Sequence, residues 1–325
     1  MLMKHIIKKV SIAVMALALT SCVKDHLAVD PELSNNVIEF ANSGSIASPV
    51  GAIHPRYGID LGNLAPGDSS TFLVNLSYSG AEENAPNDIT ITLAVDAAAV
   101  DAYNADQGSE YSVPPASAIR MPTTVVIKGG EGTVQVPVTI VRSPEYDFDT
   151  NYALPLKIAN VSSGIISGNF GIALYSLAPR NEFDGIYEMT GTLTDASVST
   201  ITAFPTADVS LITYNSKSVA MWDDNVAGNY GHPIKNGSTN SYYGDFSPRF
   251  VFDATGKVVT VDNYFGQQAG ANRRGAQLDP TGINQIVFDQ EGKVVSFEVK
   301  YIMIQNGAAR STFTEKFTYK SPRPR

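Results

Sequence analysis

Apolar and polar residues alternate with a period of two along much of the chain. Ser70-Thr71-Phe72-Leu73-Val74-Asn75-Leu76-Ser77-Tyr78 and Ile89-Thr90-Ile91-Thr92-Leu93-Ala94-Val95 carry the alternation, the pattern of strands buried on one face. The loop from Gly80 to Asp88, rich in glycine, asparagine, proline and acids, parts them. One short stretch departs from the strand pattern. Asp96 is placed to N-cap a helix from Ala97 through Asn104, and Gly108 suits its end, where a positive φ is often needed. Thr123–Ile127 and Thr133–Val141, around the glycine-rich Lys128–Gly132, predict a hairpin. Tyr152–Ile158 and Gly171–Leu177 add two strands. Many short strands at this spacing, with one small helix, predict a β-sandwich.

Leu177–Gly185, polar and broken by Pro179 and Gly185, reads as a joint between domains. A second β region follows, opening with the strand Ile186–Leu193, which is broken by Gly191. Further on the chain nearly repeats itself, with Arg249–Val259 aligning on Gln285–Val295. Each copy is strand, Asp-x-x-Gly-Lys, strand. The aspartate closes a type I turn and the glycine takes the left-handed position of a short hairpin loop. A calcium loop needs oxygen ligands at alternating positions and a distant glutamate, whereas Val258 and Val294 follow directly. The repeats therefore predict an antiparallel meander ending in Thr312–Tyr319, closed as a barrel or stacked as a sandwich.

The first residues belong to neither domain. Lys4, Lys8 and Lys9 precede the apolar run Val10–Leu19 and then Leu19-Thr20-Ser21-Cys22. The run is shorter than the ~20 apolar residues that span a bilayer and fits a secretory signal. Leu-Thr-Ser-Cys resembles a bacterial lipobox, which implies cleavage before Cys22 and acylation of its thiol. Two or three chains on one residue hold a soluble domain on a membrane, which a single chain does only marginally. Val23-Lys24-Asp25-His26 resembles the charged stretch that directs Bacteroidota lipoproteins to the outer face of the outer membrane. The expected division is a signal peptide at 1–21, a tether at 22–36, a sandwich at 37–178 and a second antiparallel domain at 185–321, all-β throughout.

Composition narrows the partners. Without Lys4, Lys8 and Lys9 the chain carries 20 basic and 32 acidic residues, a formal charge of −12. Such a surface lacks the basic stripe that neutralises phosphates, so no nucleic-acid partner is expected. Cys22 is the only cysteine, so no disulfide supports the fold and its stability rests on buried apolar area.

Val100-Asp101-Ala102-Tyr103-Asn104, Gly108, Tyr111, Pro114-Pro115, the strand Thr123–Ile127 and Tyr152-Ala153-Leu154-Pro155-Leu156 fall in a recognisable order. Residues 35–178 resemble the immunoglobulin-like N-terminal domain, of unknown function, of Bacteroidota surface lipoproteins. The same domain precedes the catalytic barrel of some family 18 endo-β-N-acetylglucosaminidases. Val113 stands where that pattern has leucine.

Catalysis finds little support. The Asp-x-x-Asp-x-Asp-x-Glu strand end of family 18 hydrolases is absent. Asp223-Asp224 reads as a solvated loop rather than a glycosidase pair. The histidines are isolated, without metal-ligand spacing, and no cofactor is expected. The aromatic-rich, amide-rich stretch Tyr214–Phe265 is better suited to binding. Rings offer stacking area at low entropic cost. The candidates are Trp222, Tyr230, Tyr242 and Tyr243 as platforms, with Asp223, Asn225 and Arg249 as partners for sugar hydroxyls. Trp222 suits a core position equally well. The leading expectation is a glycan-binding surface lipoprotein beside a polysaccharide-uptake system. A structural or adhesive lipoprotein that binds other surface proteins comes second, and an enzyme third.

Overall fold

The computed structural model describes residues 35–41, 46–80, 82–267 and 273–324. The expected signal peptide, Cys22 and nearly all of the expected tether lie outside them. The N-terminal strands are β1 Val37–Phe40, β2 Arg56–Asn63, β3 Ser69–Ser79 and β4 Ile89–Val95. Helix α1 Ala97–Gln107 follows, then β5 Ile119–Arg120, β6 Thr124–Ile127, β7 Thr133–Val141, β8 Tyr152–Val161, β9 Ile165–Ile166 and β10 Ile172–Arg180. They form two five-stranded sheets, β5-β7-β3-β1-β9 and β2-β10-β8-β4-β6. Ile38, Val74, Leu76, Val136 and Val138 of one sheet meet Leu61, Ile91, Leu93, Leu154 and Leu156 of the other in a continuous core. This is the expected sandwich.

The expected hairpin at Lys128–Gly132 is not formed: β6 pairs with β4 in one sheet and β7 with β3 in the other. The glycine turn arches across the sandwich. Its backbone groups are satisfied by the loop beside it, with Gly130 N donating to Ala85 O at 2.8 Å and Ala85 N to Glu131 O at 2.9 Å. Period-two alternation shows that each run is a strand, but it does not name the partner.

Helix α1 forms as expected and ends at Gly108, whose φ of 62° is left-handed. Asp96 makes no side-chain cap; its carboxylate sits 3.2 Å from Lys157 Nζ. The Tyr-Asn motif has a structural reason. Tyr103 is buried and its hydroxyl accepts from Arg56 Nε at 3.1 Å. Asn104 clamps the following loop, donating to Tyr111 O at 2.8 Å and accepting from Tyr111 N at 3.0 Å.

The C-terminal strands are β11 Gly185–Asp195, β12 Ile201–Ala203, β13 Ala207–Asn215, β14 Ser218–Asp223, β15 Asn229–Tyr230, β16 His232–Asn236, β17 Thr239–Tyr243, β18 Pro248–Phe252 and β19 Val258–Asn263. After them come β20 Arg274–Leu278, β21 Gln285–Phe288, β22 Val294–Gln305 and β23 Ala308–Ser321. The main sheet runs β19-β18-β14-β13-β11-β23-β22-β20, with β21 also on β22. β11, β13, β14, β18 and β19 pair in succession, as do β21, β22 and β23, and the last strand returns to pair with the first. The two sheet ends meet at the Lys257–Gln285 bridge, where Val258 N donates to Asn284 O and Ile286 N to Gly256 O, each at 2.9 Å. The second domain is thus a nearly closed antiparallel barrel, which decides between the two expected forms.

Both repeats close as hairpins. Asp253 Oδ1 accepts from Thr255 N at 2.8 Å and Asp289 Oδ1 from Lys293 N at 2.8 Å. Gly256 and Gly292 take φ of 77° and 79°. Gly191 serves close packing instead, since a Cβ there would lie 2.3 Å from Thr314 O on β23.

An eight-stave barrel is just wide enough for side chains to fill it, and this one is filled. Phe250, Phe297, Tyr301, Phe313 and Phe317 pack in its centre, with Tyr301 and Phe313 stacked at 4.6 Å. Among them His232 Nε2 lies 2.9 Å from Tyr301 Oη and 2.9 Å from Glu315 Oε1. Tyr301 Oη donates to Glu315 Oε2 at 2.7 Å, and burial pushes the Tyr301 hydroxyl well up. The small sheet β12-β16-β17 lies over one end. There the carboxylate of Asp195 accepts from Tyr243 Oη at 2.5 Å and Ser311 Oγ at 2.8 Å. Phe183, its ring tilted against Phe252 at 4.3 Å, plugs the other end. With the lumen occupied, a ligand has only the outer faces and the joint.

Candidate functional site

Strand β14 turns Val219 and Met221 into the barrel core and leaves Trp222 half-buried on the outer face. Trp222 pairs in register with Tyr230 of β15, their rings edge to face at 5.1 Å. Tyr230 stacks on Tyr264 at 3.8 Å, and Tyr264 meets Tyr214 edge-on at 6.1 Å. The Arg249 guanidinium lies 4.2 Å over the Tyr214 ring and grips Asp262 with two hydrogen bonds, 2.6 and 2.5 Å. The result is an outer row, Trp222–Tyr230–Tyr264–Tyr214, finished by an arginine. Burial, with Tyr264 stacked against it, pushes the Tyr230 hydroxyl up to about 12. It therefore stays protonated and able to donate at neutral pH.

The seven candidate residues separate into groups. Trp222, Tyr230 and Arg249 belong to the row. Asn225 flanks it on an exposed turn, its Nδ2 donating to Asp208 O at 2.7 Å. Asp223 is fully buried and holds that turn, accepting from Asn225 N at 2.8 Å and Ala227 N at 2.9 Å. It is a turn cap, not a partner for a sugar hydroxyl, because its carboxylate is buried and accepts from the backbone of Asn225, Val226 and Ala227. Tyr243 is 2 % exposed and bonded to Asp195 and Ser311 inside the barrel end, so it is core. Its neighbour Tyr242 is 42 % exposed and sits on β17, its ring beside Gly231. Strand alternation sends adjacent tyrosines to opposite faces. Asp224, beside the cap, is exposed and accepts from Ser210 Oγ at 2.7 Å.

Tyr214 and Tyr264 join the row although sequence reasoning named neither as a platform, and Asp262 pairs with Arg249 from thirteen positions away. The contacts made at the expected joint were not legible either. Leu177–Gly185 is no loose linker. Arg180 binds the Asp60 carboxylate from the sandwich and donates to Arg323 O at 2.7 Å and Pro324 O at 2.8 Å. Arg323 returns to Asp184 with two bonds, 2.8 and 2.9 Å, and Asp184 also accepts from Thr213 N at 2.8 Å. Ser216 of the barrel donates from Oγ to Asp149 of the sandwich at 2.8 Å. The C-terminal residues Pro322–Pro324 are thereby strapped across the joint.

Two hollows flank this strap. One, about 670 Å³, is lined by Asn63 and Ala65 of the sandwich, Glu182 of the joint, and Lys293, Tyr319 and Arg323 beyond it. The other, about 270 Å³, is lined by Ser210, Ile212, Trp222, Asp224, Arg323 and Pro324. Among the described residues no cluster of three histidines, cysteines or acids is placed to hold a metal ion.

The fold and this surface define a class: an all-β protein in which an immunoglobulin-like sandwich precedes an antiparallel barrel with an aromatic outer row. A protein-family model described as a "-like, N-terminal domain" matches residues 48–165, inside the segment that resembles the lipoprotein N-terminal domain. No curated protein matches the chain. Among solved structures, a protein of unknown function from Bacteroides ovatus is 17% identical with a TM-score of 0.48, over 90% of this chain and 96% of that one. A protein from Bacteroides ovatus ATCC 8483, described provisionally as carbohydrate binding, is 12% identical with a TM-score of 0.35, over 88% of this chain and 98% of that one. EndoBT-3987 of Bacteroides thetaiotamicron, solved with Man5GlcNAc product, is 16% identical with a TM-score of 0.29, over 37% of this chain and 28% of its own.

Proposed function

We propose that this chain is a non-catalytic surface lipoprotein, anchored in the outer membrane through Cys22 and facing the cell exterior, whose barrel binds glycan for a polysaccharide-uptake system. The two domains, 37–178 and 185–321, then divide the work between spacing and recognition. The observation that carries the reading is the outer row Trp222–Tyr230–Tyr264–Tyr214. Four rings, each against the next, form a rigid platform for the C–H faces of sugars, and the exposed Asp224, Asn225 and Asn229 offer hydroxyl partners at one end. Rings held by one another lose little freedom when a ligand arrives, which favours binding.

The protein lacking residues 1–22, screened on a glycan array, supplies the ligand; calorimetry with Trp222→Ala then tests the site. Affinity for that glycan falls by about 1 to 3 kcal/mol, the range for stacking on an aromatic platform, with the melting temperature unchanged. Equal affinity in a stable Trp222→Ala protein overturns the assignment. Cys22→Ser moves the full-length protein from the membrane to the soluble fraction, and continued sedimentation with membranes ends the lipoprotein reading. The alternative, a lipoprotein binding other surface proteins, draws on a different feature: Ile283, Val287 and Val295 are exposed beside the barrel seam, where apolar area invites a protein partner.

A further inference from the structure

The aromatic row does not end at Trp222. Trp222 lines the smaller hollow together with Arg323 and Pro324, and Arg323 also lines the larger one. Both hollows therefore open on the same short strap, Pro322–Pro324, one toward the barrel face and one toward the sandwich. The strap is fixed from beneath by Arg180 and Asp184, so it is a floor rather than a mobile lid. Ligand sites favour domain interfaces, and volumes of about 300 to 1,000 Å³ are usual for them. The larger hollow fits that description and draws residues from both domains.

Its chemistry selects the ligand. The arginines are already spent: Arg180 on Asp60 and the strap carbonyls, Arg323 on Asp184. Neither has charge left over for an anionic ligand. What faces outward is mixed and roughly neutral. Glu182 is exposed, and Lys293 is paired only with Glu291, at side-chain exposures of 75% and 73%, a pairing that water screens to little strength. Asn63 is exposed beside them, and Tyr319 is half-buried. Donors, acceptors and part of a ring, with no net charge, match hydroxyls and C–H faces.

We infer that the strap joins the two hollows and the aromatic row into one extended cleft that takes a neutral oligosaccharide chain, internal residues included, rather than a single terminal sugar. The inference rests on the glycan reading above and adds the joint as a second set of subsites. It predicts a dependence on chain length. Short oligosaccharides occupy the Trp222 end alone. Longer ones also reach Glu182, Lys293 and Asn63.

Calorimetry of the protein lacking residues 1–22 against ladders of two to eight units of malto-, cello-, xylo- and manno-oligosaccharides tests it. For the ladder that binds, affinity rises with length and then levels off. Glu182→Ala and Lys293→Ala, exposed positions whose loss leaves the melting temperature unchanged, lower affinity for the longest chain about fivefold and leave the shortest binder unaffected. Trp222→Ala weakens both. If the two joint variants bind the longest chain as tightly as the parent, while Trp222→Ala still weakens it, the extended cleft is wrong and the aromatic site stands alone. If no ladder binds at any length, the neutral-chain cleft fails, and the array then decides whether the glycan reading survives on an acidic or branched glycan.

Discussion

At the residue scale, neighbours in sequence have unrelated fates here. Tyr242 meets solvent and Tyr243 anchors the barrel end. Tyr243→Ala removes a buried ring and one of the hydrogen bonds to Asp195, so a loss of roughly 3 to 5 kcal/mol in stability is expected, measured by urea denaturation. Trp222→Ala is expected to change affinity with little change in the midpoint. Asp195 also gives a pH prediction. Burial by itself would raise its pKa, but hydrogen bonds from Tyr243, Ser311 and the backbone of Ser197 and Val198 outweigh it and hold the group at about 2. A carboxyl whose folded pKa lies below its unfolded value of about 3.9 stabilises the fold above that value. The contribution fades as pH falls from about 4 to 2. Asp195→Asn should therefore flatten the decline of the urea midpoint across that window, compared with the parent.

At the scale of elements, the two Asp-x-x-Gly-Lys hairpins form a matched pair that differs in surroundings. Both glycines have positive φ, where alanine is strained. A Cβ on Gly292 meets open space, whereas one on Gly256 would lie 2.6 Å from the Phe288 ring. Gly292→Ala is expected to cost about 1 kcal/mol, in the range for alanine forced left-handed, and Gly256→Ala clearly more. Thermal denaturation of the two variants side by side checks the order. Equal losses mean that the seam between the repeats contributes nothing to the barrel.

At the scale of the whole molecule, sandwich and barrel are held together by ions that burial makes demanding. The Asp184 side chain is 1% exposed and its main charge partner is Arg323. Arg323→Ala leaves that carboxylate buried and short of partners, for which a loss of about 3 to 5 kcal/mol is expected. Calorimetry should also show the effect in shape. With the strap released, the sandwich and barrel transitions separate, while the parent melts more nearly as one. A single unshifted transition in Arg323→Ala removes the strap from the account of the joint.

The sequence by itself determined the all-β class, the one short helix with its glycine stop, and the paired turns of the repeat, because each depends on φ, ψ and alternation within about ten residues. It also marked the stretch that holds Trp222, Tyr230 and Arg249. Only the tertiary structure decided which strand pairs with which. The glycine turn after β6 has the composition of a hairpin, yet it crosses between sheets because β6 pairs with β4 and β7 with β3. Closure of the barrel depended on β23 returning to β11, a pairing over more than a hundred residues that no local pattern encodes. Burial of Asp223 and Tyr243, the gathering of Tyr214 and Tyr264 into the row, and the meeting of Asp60, Arg180, Asp184 and Arg323 at the joint have the same origin. Charge and ring partners are selected by distance in space, and folding sets that distance.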